Sequence, residues 1–491
     1  MSSTTSVKYA QWNKLYLGGE WRSGTSSRTV TVRNPYNQEV LAEFPLASVE
    51  DIDQAYRKAQ AAQQGWAEES AFTRAEVMER AASILAQRKD EIVRYLVEET
   101  GSSHLKASIE VDASIGDIKL AAEYAHKMTA VILPSAIPGK ENRVYRTPVG
   151  VVGAITPWNW PFYLSIRVVA PALATGNAIV LKADSQTPIT GGLLVADLFE
   201  QAGLPPGLLS VVVADLDEIG DAMVEHPVPR VISFTGSTAA GRHIAEVAAR
   251  SLRKVALELG GNNVFIVLDD ADVDQAVAAA AFGKYLHQGQ ICIATNRMIV
   301  HRKVYDEFVE KFKAATEKVK VGDPADPETV ICPLINERQA KRIMGLIDES
   351  LKMGARLVLE GKLEGQLMYP YILADVTNDM PIAKNEIFGP VAAILPVDSE
   401  EEAVNVANDS DYGLSGAVFT GDLERGIRVA QRIVTGMIHV NDQTVNVESN
   451  VPFGGEKASG IGRYCGEWGI EEFTTLKWIS VQKEPRVYPF S

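Results

Sequence analysis

Between Val149 and Leu259 the chain alternates between two patterns. Short apolar runs, VGVVGAIT, AIVLK, LLSVVV, RVISFT and VALEL, are rich in β-branched residues, as buried strands are. Between them lie stretches such as TGGLLVADLFEQAG and AAGRHIAEVAARSLRK, with apolar residues every three or four positions. In the second of these, Ile244, Ala248 and Leu252 fall on one face, and Arg253 and Lys254 suit the negative end of a helix dipole. Strand–helix alternation predicts a parallel, doubly wound sheet, which binds ligands beyond the carboxyl ends of its strands. A second alternating series, VFIVL, RMIVH, AAILPV, GAVFT and GMIHVN, runs from about Gly260 to Pro452 and predicts a second α/β domain. Residues 51–123 read as helical, with Gly101 as a stop able to take positive φ. Lys127–Arg146 lacks a helical period and holds Pro134, Pro138 and Gly139, which predicts an inserted hairpin; KWISVQ near the C-terminus reads as an edge strand.

At 491 residues the chain exceeds a single core. Its formal net charge of −15 disfavours nucleic acid and anionic membranes as partners, since both need a concentrated positive surface. Three cysteines, Cys292, Cys332 and Cys465, make no disulfide framework and point to a reducing compartment. MSSTTSVKYAQWNK has no apolar core or cleavage-site pattern, so it is not read as a secretory signal; the expected location is the cytoplasm. No His/Cys/Asp cluster has zinc spacing, and no metal is expected.

Cys292, in GKYLHQGQICIATNR, and Glu258, in LELGG, stand 34 residues apart. A thiolate attacks carbonyls and leaves well from a thioester. Glu258 follows an apolar strand and precedes two glycines, a setting that raises a carboxyl pKa and suits a base. Attack on a carbonyl places charge on oxygen, which calls for a preplaced donor; ITPWNWPFY carries Asn159 just after Pro157. FTGSTAAG follows a predicted strand and opens a helix, with Gly236 at the turn and Ser237 able to cap. Neither G-x-G-x-x-G nor G-x-x-x-x-G-K-[ST] occurs.

Together these motifs resemble the aldehyde dehydrogenase superfamily, and the likeness runs from LYLGGEW to TTLKWISVQ. The resemblance implies a Rossmann-like cofactor domain (residues 1–124 and 147–258), an α/β catalytic domain (259–455) and a small β oligomerisation element (125–146 and 474–491). It implies a homodimer or homotetramer, with the two pieces of the β element pairing between subunits. It assigns Cys292 as nucleophile, Glu258 as hydrolytic base and Asn159 as oxyanion donor. NAD or NADP is the implied cofactor, with Thr156, Trp158, Lys182, Ser185, Gly236, Ser237, Gly260, Glu386 and Phe388 around it. Many NAD-preferring relatives carry glutamate where this chain has Ser185, so a 2′-phosphate meets no carboxylate there unless Asp184 points inward. Trp160, Tyr163, Arg167, Ile291, Ile293 and Phe453 are the implied substrate residues, and their aromatic character suits a flat apolar aldehyde. GMIHVNDQTVNVESNVPFGG with HQGQIC is most similar to the benzaldehyde, vanillin and salicylaldehyde branch. The competing readings are an aliphatic or semialdehyde substrate, transfer to coenzyme A, and a silent protein on the same scaffold. His287 reads as a packing residue, and Cys332 and Cys465 as core.

Overall fold

The computed structural model describes residues 7–490; the first six residues assigned to the cofactor domain, and Ser491, lie outside them. Four helices open the fold after a short β segment: α1 (Val49–Glu68), α2 (Ala71–Gln87), α3 (Lys89–Thr100) and α4 (His104–His126). Gly101 ends α3 at φ 64°, in the left-handed conformation expected of it.

All five runs predicted between Val149 and Leu259 are strands of one eight-stranded sheet. In spatial order the parallel strands are Leu209–Val212, Ala178–Lys182, Val151–Ile155, Val231–Thr235 and Lys254–Glu258. The chain thus starts in the middle, winds one way, then returns to wind the other. The reversal falls between Val151–Ile155 and Val231–Thr235, where helix connections leave on opposite faces and open a crevice. The stretch 456–473, unassigned by sequence, returns to this half: Gly460–Ile461 pairs antiparallel with Lys254–Glu258, and the helix Trp468–Phe473 packs on α5 (Pro161–Ala174).

The second series forms a seven-stranded sheet ordered Arg356–Leu359, Tyr371–Ala374, Val391–Val397, Thr295–His301, Asn263–Val267, Gly416–Phe419 and His439–Val440. Only the first of these strands is antiparallel to its neighbour. Apolar layers cover both faces of this sheet. No helix among the described residues is long and apolar enough to cross a membrane.

Two expectations change. The helix predicted through Lys254 is Thr238–Ala249; Ile244 and Ala248 are buried as expected, but Leu252 is 95% exposed at φ 49°. The chain has to reverse there to enter Lys254–Glu258 parallel to Val231–Thr235, and the reversal takes the last apolar position off the helical face. Arg253 therefore does not complement the helix dipole; its guanidinium donates to the carbonyls of Val224 and His226. The second change concerns the β element. Ala130–Leu133, Lys140–Pro148 and Thr474–Gln482 form a three-stranded sheet, and the last two pair with each other inside one chain, nine residues in register. The helix Trp468–Phe473 delivers the C-terminal strand directly alongside Lys140–Pro148, so the pairing needs no second subunit. Thr474–Gln482 is an edge strand, as read from its sequence.

Candidate active site

A cleft of about 350 Å³ lies where the two sheets face each other. Its first wall comes from segments that follow strands of the eight-stranded sheet: Pro157–Asn159 after Val151–Ile155, and Gly236–Ser237 after Val231–Thr235. Its second wall comes from segments that precede strands of the seven-stranded sheet: Cys292 before Thr295–His301, Glu386 and Phe388 before Val391–Val397, and Tyr412 before Gly416–Phe419. Leu259 and Gly260 cross from one sheet to the other along the floor.

Cys292 sits half-buried in a tight turn closed by the Ala294 amide on the Ile291 carbonyl, 2.9 Å. Its own carbonyl accepts from Asn263 Nδ2 at 2.8 Å. Gly261 must be glycine for this packing, because a Cβ there would lie 2.2 Å from the Cys292 carbonyl oxygen. Burial, reinforced by the Glu258 charge, pushes the thiol up to about 12. A thiolate at neutral pH thus requires a proton acceptor or a change of surroundings when ligands bind.

Asn159 is buried, and its Nδ2 donates to the Gln290 carbonyl, 3.0 Å, two residues before the cysteine. An amide nitrogen carries two hydrogens, so one remains for an oxygen bound beside Cys292.

Glu258 ends its strand 2% exposed, and neither carboxylate oxygen has a hydrogen-bond partner. Burial pushes it up to about 8, opposed chiefly by the charge of Arg167. Gly454 stands beside it: a Cβ there would lie 3.1 Å from Glu258 Oε1.

The cofactor-side residues form two groups. Ser237 caps the helix Thr238–Ala249 by accepting from the Ala240 amide, 3.3 Å, and opens it onto the cleft at the sheet's reversal point. A Cβ on Gly236 would come within 2.4 Å of the Phe234 ring. Glu386 accepts from the Gly261 amide at 3.0 Å through Oε1, while a Cβ on Gly260 would fall 2.8 Å from Oε2. Burial raises Glu386 to about 7. Phe388 stands edge-on to Trp158, ring centres 5.6 Å apart. A helix N-terminus, close-approach glycines and a half-buried carboxylate on one cleft suit a dinucleotide.

Other expected residues lie off this cleft. The Thr156 hydroxyl turns to Ser165, 2.9 Å, and its amide donates to the Lys182 carbonyl. Lys182 is buried at a strand end, its pKa lowered by burial against the pull of Asp184 and Asp215. Ser185 is half-buried in the following turn, where Asp184 Oδ1 accepts from the Gln186 amide at 2.9 Å. Trp160, Tyr163, Ile291, Ile293 and Phe453 are all buried in the core that includes α5. Arg167 lies among them with its guanidinium 4.5 Å from the Phe453 ring centre, 4.8 Å from Tyr464 and 5.8 Å from Tyr163, and none of its side-chain nitrogens has a hydrogen-bond partner. His287 is fully buried and held neutral by burial and the nearby Lys106 charge.

The sequence reading missed several lining residues, among them Gln339, Arg342 and Tyr412. Arg342 Nη1 donates to the Glu386 carbonyl at 3.0 Å, and Gln339 Nε2 to the Phe388 carbonyl at 2.9 Å, so one face of the helix Glu337–Lys352 pins the KNEIFGP loop. Nothing in the helix's own pattern separates these two from its other polar positions.

The aldehyde dehydrogenase family model matches residues 21–479. A benzaldehyde dehydrogenase of Bacillus subtilis is 50% identical over 483 residues, 98% of this chain and all of the relative. Among solved structures, an NAD-dependent benzaldehyde dehydrogenase from Corynebacterium glutamicum superposes with TM-score 0.89 at 45% identity, covering 98% of each chain. A salicylaldehyde dehydrogenase from Pseudomonas putida G7, complexed with salicylaldehyde, gives TM-score 0.95 at 36% identity, covering 97% of this chain and 99% of the other.

Proposed function

The chain belongs to the aldehyde dehydrogenase family, and we propose that it oxidises an aromatic, benzaldehyde-like aldehyde to the carboxylic acid with NAD or NADP. The observation that carries this reading is the placing of Cys292 and the Asn159 amide on one cleft, with a bare, buried Glu258 just behind its Leu259–Gly260 lining and close enough for its charge to act on the thiol, beside an aromatic-rich core. Once its thiol proton has passed to a neighbouring acceptor, the Cys292 thiolate attacks the aldehyde carbon, and Asn159 Nδ2 with the Cys292 amide holds the oxygen's developing charge. NAD(P), when bound, supplies the hydride acceptor that converts the hemithioacetal on Cys292 into a thioester. Glu258 then takes a proton from water, whose oxygen displaces the sulfur and releases the acid.

For the cofactor, Gly236, Ser237, Gly260, Glu386, Phe388 and Trp158 would hold the pyrophosphate and nicotinamide ribose, with Thr156, Lys182 and Ser185 toward the adenosine ribose. Asp184 Oδ1 accepts from the Gln186 amides in its own turn, and with serine at 185 in place of a carboxylate we infer that a 2′-phosphate is accepted. Trp160, Tyr163, Arg167, Ile291, Ile293 and Phe453 are assigned to the substrate side. The division into residues 1–124 with 147–258, 259–455, and 125–146 with 474–491 is retained as cofactor, catalytic and oligomerisation parts. Exposed Val131, Ile132, Leu133, Leu476, Trp478 and Ile479 on the small sheet favour a homodimer or homotetramer.

The test is a steady-state panel of aromatic and aliphatic aldehydes with each cofactor, read at the NAD(P)H absorbance, with and without coenzyme A. Benzaldehyde is expected to exceed aliphatic aldehydes in kcat/KM by about 10-fold or more, one to two methylene-sized contacts' worth of pocket discrimination. NADP+ should give measurable turnover, and coenzyme A no stimulation. A preference for short aliphatic aldehydes overturns the substrate assignment.

A further inference from the structure

Lys106 and Glu110 stand one turn apart on α4, and both side chains are completely buried; no other ion pair of the described residues has both partners at 0% exposure. Lys106 Nζ donates to Glu110 Oε2 at 2.5 Å and to the Asn159 backbone carbonyl at 2.8 Å, and it lies 4.9 Å from the Trp160 ring centre. The other carboxylate oxygen, Oε1, accepts from the amides of Phe162 at 2.9 Å and Tyr163 at 3.1 Å. These are first-turn donors of α5, whose own N-cap residue, Trp160, provides no side-chain cap. One ion pair thus holds the Asn159 carbonyl and, just beyond it, the first turn of α5.

Stability is a weak reason for such a pair. Two charges taken out of water lose hydration that their mutual attraction barely restores, and apolar replacements of equal volume are often neutral or stabilising. Direction is what the pair supplies. A carbonyl held from behind and a helix capped just beyond it leave the Asn159 backbone one orientation, and that orientation sets where Nδ2 points. The amide's other tether, to the Gln290 carbonyl, runs to the cysteine loop, so the pair also sets the distance from amide to sulfur.

We propose that Lys106 and Glu110 are positioning residues for the oxyanion donor, acting on the chemical step through Asn159. The inference rests on the reading of Asn159 as that donor.

A double-mutant cycle between Lys106→Met and Asn159→Ala, assayed with benzaldehyde and NAD+, tests it. In the otherwise unchanged enzyme, Lys106→Met should lower kcat on the order of 10- to 100-fold, the cost of about 1 Å of misplacement. KM for NAD+ should stay within about 3-fold, since Lys106 and Glu110 contact none of the residues assigned to the cofactor. In the Asn159→Ala enzyme the same substitution should cost less than about 3-fold, because the group it positions is gone. Equal losses in both backgrounds, or a melting temperature that falls while kcat holds, overturn the inference. An Asn159→Ala enzyme with unchanged kcat removes the donor role itself, and the inference with it. Should Lys106→Met fail to fold, Glu110→Gln gives the same reading: it keeps an acceptor for Phe162 and Tyr163, loses the charge, and should show a smaller kcat loss with the same dependence on Asn159.

Discussion

Glu258 and Glu110 are both buried carboxylates beside the Cys292–Asn159 pair, and the fold treats them oppositely. Glu258 sits at a strand end with glycine beside it and no hydrogen-bond partner for either oxygen. Glu110 sits inside α4 with three donors: Lys106 Nζ and the amides of Phe162 and Tyr163. A carboxylate without donors ionises with difficulty and is a strong base once ionised, whereas a carboxylate saturated with donors has no capacity left for chemistry and works as a fastener. On the proposed mechanism, the difference separates a wall that reacts from a wall that holds.

The largest effect removes the step that both walls serve. Cys292→Ala should cut turnover by at least about 10³-fold, as loss of a covalent nucleophile does. NAD+ affinity, followed by titration, should remain, because the thiol contributes little to the dinucleotide cradle. Substantial residual turnover would show that neither carboxylate serves a thioester route.

Next is the reactive wall alone. Glu258→Gln should release about one equivalent of NADH per site in a burst, then turn over on the order of 10²- to 10⁴-fold more slowly, the usual worth of a general base. In the unmodified enzyme the hydrolytic rate should climb with pH through about 8, since the base works ionised and burial holds its proton to that pH. That rise should vanish in the glutamine variant. Loss of the burst as well would move the role of Glu258 earlier, to activation of Cys292.

The smallest effect contrasts the two carboxylates by stability. Glu258 has a folded pKa near 8 against an ordinary 4.5, so its contribution is intact at low pH and is lost as pH rises through the folded value. Glu258→Gln should therefore melt about 1–4 °C above the parent at pH 9, with no such gain at pH 5. Glu110→Gln should melt below the parent at both pH values, because it strands the buried Lys106 charge. Same-sign shifts for the two variants would erase the distinction between the walls.

Much of the fold was legible because its cause is local. Short β-branched runs alternating with amphipathic helices bury themselves in only a few ways, and all five runs from Val149 to Leu259 became strands of one sheet. Gly101 ended its helix for a reason carried by that residue alone. The helix through Leu252 was overextended because three- and four-residue spacing continued past the point where the chain had to turn back. The candidate site was half legible for a similar reason. Asn159, Gly236, Ser237, Gly260, Cys292, Glu386 and Phe388 sit in short motifs and all reached the cleft. Gln339, Arg342 and Tyr412 lie in ordinary surroundings and reach it only through the path of the second sheet.

By itself the sequence determined the alternation of strands and helices, the family, and the thiol, carboxylate and amide that the proposed mechanism uses. These depend on side-chain chemistry and on spacing within one element. Tertiary structure alone decided that the first sheet offers the cleft its carboxyl ends and the second its amino ends, and that the terminal strand pairs within its own chain. It alone decided that Glu258 stays bare while Glu110 is fastened to Lys106 and to residues 52 and 53 positions away. Burial and hydrogen-bond saturation are properties of the whole packed volume around a group, and no stretch of neighbouring residues encodes that volume.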